Sequence, residues 1–437
     1  MNEHVSQTMT LLCDVVRTLP VGTNLALLHL LWMLVSGRLL LSRGAVIPGL
    51  HLTGLSKRAV LRAWQALRRG GWCIGRLLVN WEAAVMRNGR WQARYHGGYC
   101  ALPVDTTGFG RPRLKNCPTK HYDQRAGKAL PAIALGLLGR VGQAGRQRLL
   151  LPLAFLRADP KQPKEDGLVA ALIVKAKELM QPRDVLVSDG GFPLELIQAE
   201  RIPRYVAKLP KNFTARRVQP PAYGGRGRPA ERGLIVRPLA RSYRGRLIPA
   251  TPPDRSETWE EDGLTIRADI WDYLLLKEIQ PQAITDKAIF SVMAFHNPKF
   301  AQPLLVATPL PAAARDVCHL YLDRWPVEQL PLAAKQMIGA HRAFVFAAEV
   351  CQRLPELALL AGAILSYAAA ILPTIPTGFW DRTPQATSGR LRRFLARSQF
   401  TIDFPLPPEI RQKASFTDHL PKGSSLFRRT KRLETVT

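Results

Sequence analysis

Over the first hundred residues the apolar positions recur at helical spacing. Thr23 or Asn24 stands where a cap belongs, ahead of an apolar run that reaches Val35, and predicts a helix there. A second helix is better marked. Ser56 offers an N-cap, Ala59, Val60, Ala63, Trp64 and Leu67 form one stripe, and Gly70-Gly71 closes it. The segment CIGRLLVNW that follows reads as a strand. From Tyr99 the pattern changes: YCALPVD, ALPAIALGLLG and RLLLPLAFL are extended or buried apolar runs. A helix is predicted over 167–180, then the short strand DVLVSD, a helix near 193–200 and the strand RYVAKLP. Strands in succession, then strands alternating with helices, predict an α/β fold with a mixed sheet. KAIFSVMAF and PLLVATPL return to the strand pattern, a long helical region is expected over 312–372, and a last helix over 388–398.

Composition shifts sharply inside this pattern. Residues 208–246 hold eleven Lys or Arg and one acid, Glu231, broken up by Pro220-Pro221 and YGGRGRP. That stretch predicts an insertion with its own short strands. The expected regions are a helical 1–95, a first core part 96–211, the basic β-rich insertion 212–278, a second core part 279–375, and a basic, Pro-rich 376–437 whose tail from Pro421 is expected to be disordered. At 437 residues the chain is also too long for one ordinary core.

The charge points to a polyanion. The chain carries 62 Lys plus Arg against 33 Asp plus Glu, a formal net charge of +29, which self-repels unless a partner neutralises it. On the helix after Ser56, Lys57, Arg58, Arg62, Arg68 and Arg69 fall largely outside the apolar stripe. With HLTGL before it and CIGRLLVNW after it, this has the outline of a winged helix-turn-helix whose basic helix enters a major groove of double-stranded DNA. The alternative is an ordinary amphipathic surface helix. The six cysteines show no zinc spacing and read as reduced core thiols, and the acidic, polar N-terminus is unlike a signal peptide, so a cytoplasmic protein is expected. The apolar stretches 25–35 and 357–372 fall short of a membrane span and read as buried helices.

The segment YLDRWPVEQLPLAAK carries the chemistry. On a regular helix Tyr321, Arg324, Glu328 and Lys335 lie within an arc of about 60°. One face then offers a carboxylate for a divalent ion and two cations for phosphate oxygens. An exposed, salt-bridged amphipathic helix is the competing reading, and Pro326 and Pro331 make the arc approximate.

The spacing Y-x2-R-x3-E-x6-K resembles the signature of bacterial insertion-sequence DDE transposases, position for position, and Gly339 stands where such proteins close the motif. The resemblance covers about residues 95–370. It implies an RNase H-like core with two further carboxylates at strand ends. PVDTTGFG supplies Asp105, and VLVSDGGF supplies Asp189, 84 residues on; Glu328 follows after a further 139. Taken singly, Asp105 reads equally as a turn or cap residue and Asp189 as an Asx-turn before Gly190-Gly191. Asp184 and Asp323 are reserve ligands of lower rank. The family interrupts its core with a β-rich insertion between the second Asp and the Glu, the place of the basic segment from about Phe213 to Lys277. Trp259 or Trp271 there could stack on a flipped base, although both read better as core or interface residues.

The resemblance further implies two Mg²⁺ ions, with Mn²⁺ as a substitute, and cleavage and strand transfer at transposon ends by a homodimer on DNA. That the protein is bacterial and nucleoid-associated is implied by the resemblance alone. Tyr321, Arg324, Lys335, Lys57, Arg58, Arg62, Arg226 and Arg228 are the expected DNA contacts. The rival readings are a catalytically silent transposase-derived DNA-binding protein and an RNase H-like nuclease without strand transfer.

Overall fold

A computed structural model describes residues 3–123, 126–162, 165–225, 228–278, 288–398, 400 and 405–412. Six helices come first: α1 (Glu3–Val16), α2 (Thr23–Val35), α3 (Arg38–Leu41), α4 (Val46–His51), α5 (Lys57–Arg69) and α6 (Ile74–Asn88). Helices α2 and α5 lie where the sequence predicts them, and Ser56 Oγ accepts the Ala59 N–H at 3.3 Å to cap α5. CIGRLLVNW, expected as a strand, instead enters α6. Its Leu77, Leu78 and Trp81, continued by Ala84 and Val85, keep helical spacing and are buried. Cys73 provides no side-chain cap, so the sequence lacked a start signal and the short apolar run was ambiguous. Helix α5 is therefore followed by a helix and not by a wing strand.

The strands then run β1 (Trp91–Ala93), β2 (Tyr95–His96), β3 (Tyr99–Gly110), β4 (Lys120–Asp123), β5 (Lys128–Ala144) and β6 (Gln147–Arg157). Helix α7 (Glu165–Leu179) leads to β7 (Asp184–Ser188), and α8 (Leu194–Ala199) to β8 (Tyr205–Lys208). The basic region contributes β9 (Ala215–Arg217), β10 (Ile235–Val236), β11 (Arg241–Tyr243), β12 (Arg246–Ile248), β13 (Arg255–Glu261) and β14 (Leu264–Leu276). After it come β15 (Phe290–His296), β16 (Leu304–Thr308), α9 (Ala314–Leu322), α10 (Trp325–Leu332), a π-helical turn Ala333–Met337, a 3-10 turn Ala340–Arg342, α11 (Ala348–Ile371) and α12 (Ser388–Leu395). The region 312–372 is thus broken at Asp323–Arg324 and again at 343–347. Pro326, in the first turn of α10, has no N–H with which to continue α9, whereas Pro331 is accommodated within α10 just before the π-helical turn.

One mixed sheet organises the chain. Strand β5 pairs antiparallel with β6 and β3, β3 runs parallel to β7 and β7 parallel to β8, and β16, β15, β14, β9 and β10 follow antiparallel. Because β14 pairs with β15, and β9 with β14, the basic segment extends the main sheet as well as forming the separate β11–β12 hairpin. The alternation along each strand supplies two cores. Ala101, Val185, Val187, Val206, Met293 and Val306 face the first, and Leu102, Leu186, Ala207, Val292 and Leu305 face the second. Helices α7 and α8 cover the second core. The first takes in α9, α10 and α11 together with the apolar stripes of α1, α2, α5 and α6, so the N-terminal helices share a core with the sheet.

Helix α11 is apolar enough and long enough to cross a membrane, yet 89% of its most apolar window is buried in the protein. It is the spine of the first core. Cys13, Cys100, Cys318 and Cys351 are buried as expected of core thiols, whereas Cys73 is exposed and Cys117 half-buried. The tail from Pro421 lies outside the described residues.

Gly44 joins the N-terminal helices to the segment after the π-helical turn. Its carbonyl accepts the Phe344 N–H at 2.8 Å, its φ is +88°, and a Cβ there would fall 1.9 Å from Arg342 O. Gly44→Ala is expected to destabilise the fold by about 2–4 kcal/mol through strain and displacement of this segment. An unchanged thermal midpoint would rule that contact out.

Candidate active site

Two carboxylates meet because the sheet register brings them together. Strands β3 and β7 pair in parallel as far as Pro103 opposite Val187, and Asp105 and Asp189 both stand two residues beyond that pair. Their strands are neighbours, about 4.8 Å apart where paired. Strand β3 does not end at Asp105 as expected; it runs on to Gly110 along β5, with Asp105 opposite Leu137. Asp105 instead marks where the parallel partner is lost, which opens the carboxyl edge of two adjacent parallel strands, a usual place for a ligand. Asp105 Oδ1 accepts the Thr106 N–H at 2.8 Å, and Asp189 Oδ1 accepts the Gly191 N–H at 2.9 Å in an Asx-turn. The local turn role and the shared location hold together.

Glu328 reaches the same place from α10, which packs on β3. Burial first, and then the charge of Asp189, push the Asp105 carboxyl up to about 7; Glu328 adds to the rise, and the Thr106 N–H and Arg324 oppose it. The three acids and Arg324 therefore share one electrostatic environment. Glu328 is ion-paired with Arg324. Among the described residues no three acid, His or Cys side chains already form a metal-ligating group.

The cations of the motif face the same site. The Arg324 guanidinium lies 5.7 Å from the centre of the buried Tyr321 ring, and two of its buried nitrogens, Nε and Nη1, make no geometrically sound hydrogen bond. Lys335 comes from the π-helical turn. Its Nζ donates to Thr107 Oγ1 at 2.8 Å and sits 5.4 Å from the Phe109 ring centre. Burial lowers the Lys335 pKa, and Asp105 offsets part of that. Thr107 was missed in the sequence, although it lies two residues after Asp105 on β3 and so on the same face.

The reserve acids have other partners. Asp184 is buried in a two-bond pair with Arg140 (3.1 and 2.8 Å). Asp323, also buried, accepts from Arg94 and Arg148 at 3.1 Å and lies 2.9 Å from His96 Nε2. Burial alone would raise its pKa, but His96 and Arg94 hold the carboxyl below its ordinary range.

The other expected DNA contacts are spread over the surface, away from this cluster in sequence. Lys57 and Arg58 are exposed on α5, Arg62 is half-buried, and the exposed Arg228 pairs with Glu231. Arg226 lies outside the described residues. Trp271 is 2% exposed and donates to Thr251 O and Pro252 O, so it is a core residue. Trp259 is half-buried, donates to Glu261 at 3.1 Å and packs edge-on to Phe295. No protein-family model matches the chain, and no curated protein matches it.

Proposed function

We propose that this chain is a DDE-type DNA transposase with an RNase H-like core. The observation that carries the reading is the meeting of Asp105 on β3, Asp189 just past the end of β7 and Glu328 on α10, in a chain of net charge +29. Burial, and then the charge of Asp189, push the Asp105 carboxyl up to about 7, and a bound cation would offset that cost of ionisation. The order β6-β5-β3-β7-β8, three antiparallel strands followed by two parallel ones with α7 and α8 as crossovers, supports the RNase H-like assignment.

The donor set fits hard divalent ions, since all three side chains offer oxygen. Two Mg²⁺ ions, or Mn²⁺, would supply activation of the attacking water or 3′-hydroxyl and stabilisation of the leaving oxygen. Asp105, Asp189 and Glu328 are the residues to hold them. Arg324 and Lys335 bind phosphate oxygens; the two unpartnered nitrogens of Arg324 are donors awaiting such acceptors. Tyr321 supports the Arg324 guanidinium from below. Outside the site, Lys57, Arg58, Arg68 and Arg69 form the outward face of α5, and they and the basic β-rich segment suit the phosphate backbone of duplex DNA. Joining two ends to one target calls for a homodimer on DNA.

Strand transfer tests the reading against its rivals. Wild type with Mg²⁺ is expected to join a precut 3′-hydroxyl end of the encoding element to plasmid DNA, and Asp189→Ala is expected to bind the end without joining it. Cutting without joining would favour a nuclease of this fold. Binding with neither would favour a silent DNA-binding descendant.

A further inference from the structure

Tyr321 lies in the last turn of α9 and Arg324 is the N-cap residue of α10, so the candidate site spans a helix joint. The backbone turns there through an α-type bond from Asp323 N to His319 O (2.9 Å) and two tighter links, from Arg324 N to Tyr321 O (3.0 Å) and from Val327 N to Arg324 O (3.0 Å). Tighter turns within a helical stretch often mark a hinge, and side-chain ties at such a place help to fix the angle between the two helices. The side chain at the joint is Asp323, which is 1% exposed. Its Oδ2 accepts from Arg94 Nε at 3.1 Å and lies 2.9 Å from His96 Nε2, and its Oδ1 accepts from Arg148 Nη1 at 3.1 Å. Arg94 lies between β1 and β2, His96 in β2 and Arg148 in β6, so one carboxylate ties the joint to three places on the sheet. The preceding turn of α9 is held as well: His319 Nε2 lies 2.9 Å from both oxygens of Glu261 on β13, and its ring stands 5.2 Å from that of His96.

We propose that Asp323 is a positioning residue for the candidate active site: gripped by Arg94, His96 and Arg148, it fixes the α9–α10 joint and thereby the placement of Tyr321, Arg324 and Glu328. This rests on the reading of Glu328 as a metal ligand. Asp323 is in the middle of the Y-x2-R spacing and faces the sheet, while its neighbours Tyr321 and Arg324 serve the site. A buried carboxylate gripped from three sides anchors a joint, because its loss takes an acceptor from the nearly buried His96 and from Arg94, while the more exposed Arg148 can turn to water. By contrast Asp184 pairs with Arg140 from strand to strand, where the sheet already fixes both backbones.

Mn²⁺ binding to the full chain, read by electron paramagnetic resonance without DNA, tests this independently of cleavage. Glu328→Gln is expected to lose binding. Asp323→Asn is expected to weaken it on the order of 10-fold, as for other residues that orient a metal ligand. Glu356→Gln is the control: it removes an acid equally buried at 1%, paired with Arg157 at 2.6 Å from α11, and is expected to leave Mn²⁺ affinity unchanged. His96→Phe and Arg148→Met each remove one donor and are expected to move affinity in the same direction by less; they decide the matter if Asp323→Asn does not fold. Wild-type affinity in folded Asp323→Asn, or in both donor variants, would overturn the proposal, as would an equal loss in Glu356→Gln. Equal binding by wild type and Glu328→Gln would overturn the metal-site reading, and the positioning role with it.

Discussion

Asp105→Asn is expected to make the metal-free protein more stable above pH 7 and to abolish its response to divalent ions. The Asp105 carboxyl goes from an ordinary value of 3.8 to about 7 on folding, chiefly through burial and then through Asp189. A group whose folded pKa is raised contributes stability that is fully present below 3.8 and is lost as pH rises through 7, because the folded state must then hold an ion it disfavours. The interval corresponds to an upper bound of roughly 4 kcal/mol. An amide of the same shape removes that cost at pH 8 and changes little near pH 4. Mg²⁺ should stabilise the wild type at pH 8 by about 2.7 kcal/mol at a hundredfold excess over its dissociation constant, and the variant hardly at all. Urea unfolding at pH 5 and pH 8, with and without Mg²⁺, measures both effects. Wild type and variant of equal stability at pH 8 would mean that folding does not disfavour the Asp105 carboxylate.

Glu328→Gln is expected to lower metal-dependent DNA cleavage by about 10³-fold or more while leaving DNA affinity intact. A ligand that helps place an ion against the reacting phosphate carries several kcal/mol of transition-state stabilisation, and about 4 kcal/mol is a factor of about 10³. On the proposed reading, affinity has a different origin, the neutralisation of phosphates by a basic surface, and one carboxylate fewer beside Arg324 is not expected to weaken it. The variant also leaves the 12% exposed Arg324 without its charged partner, which costs about 1–3 kcal/mol of stability. Unfolding curves recorded beside the cleavage assay separate the two losses. Equal loss of binding and cleavage would make Glu328 a structural residue.

Much of this arrangement was legible in the sequence because it is built from local signals. Asp105 and Asp189 follow apolar runs, and the Y-x2-R-x3-E-x6-K spacing marks Tyr321, Arg324, Glu328 and Lys335 before any fold is known. Periodicity resolved the strands β3, β5, β6, β7, β8 and β16 and the helices α2, α5, α7 and α8. It failed at α6, where the start of the helix carries no cap and a short apolar window fits either period. It also failed to break the region 312–372: Pro326 marks a break locally, but the turn at Asp323 is held by tertiary ties to Arg94, His96 and Arg148, residues more than 170 positions away in sequence. The same reason hides the sheet role of β14: pairing with β15 is decided in three dimensions, while composition marks the segment only as a basic insertion. Thr107 was within reach, through its two-residue spacing from Asp105.

The measurement that tests the account most directly is Mg²⁺-dependent cleavage of a DNA fragment carrying the ends of the element that, on the proposed reading, encodes this chain, with wild type and Glu328→Ala side by side and a chelator control. Cleavage at the ends by wild type in Mg²⁺, abolished by the chelator and absent in a folded, DNA-binding Glu328→Ala, is the predicted result. Binding of the ends by both proteins with no cleavage by either, or cleavage that survives in Glu328→Ala, would contradict it.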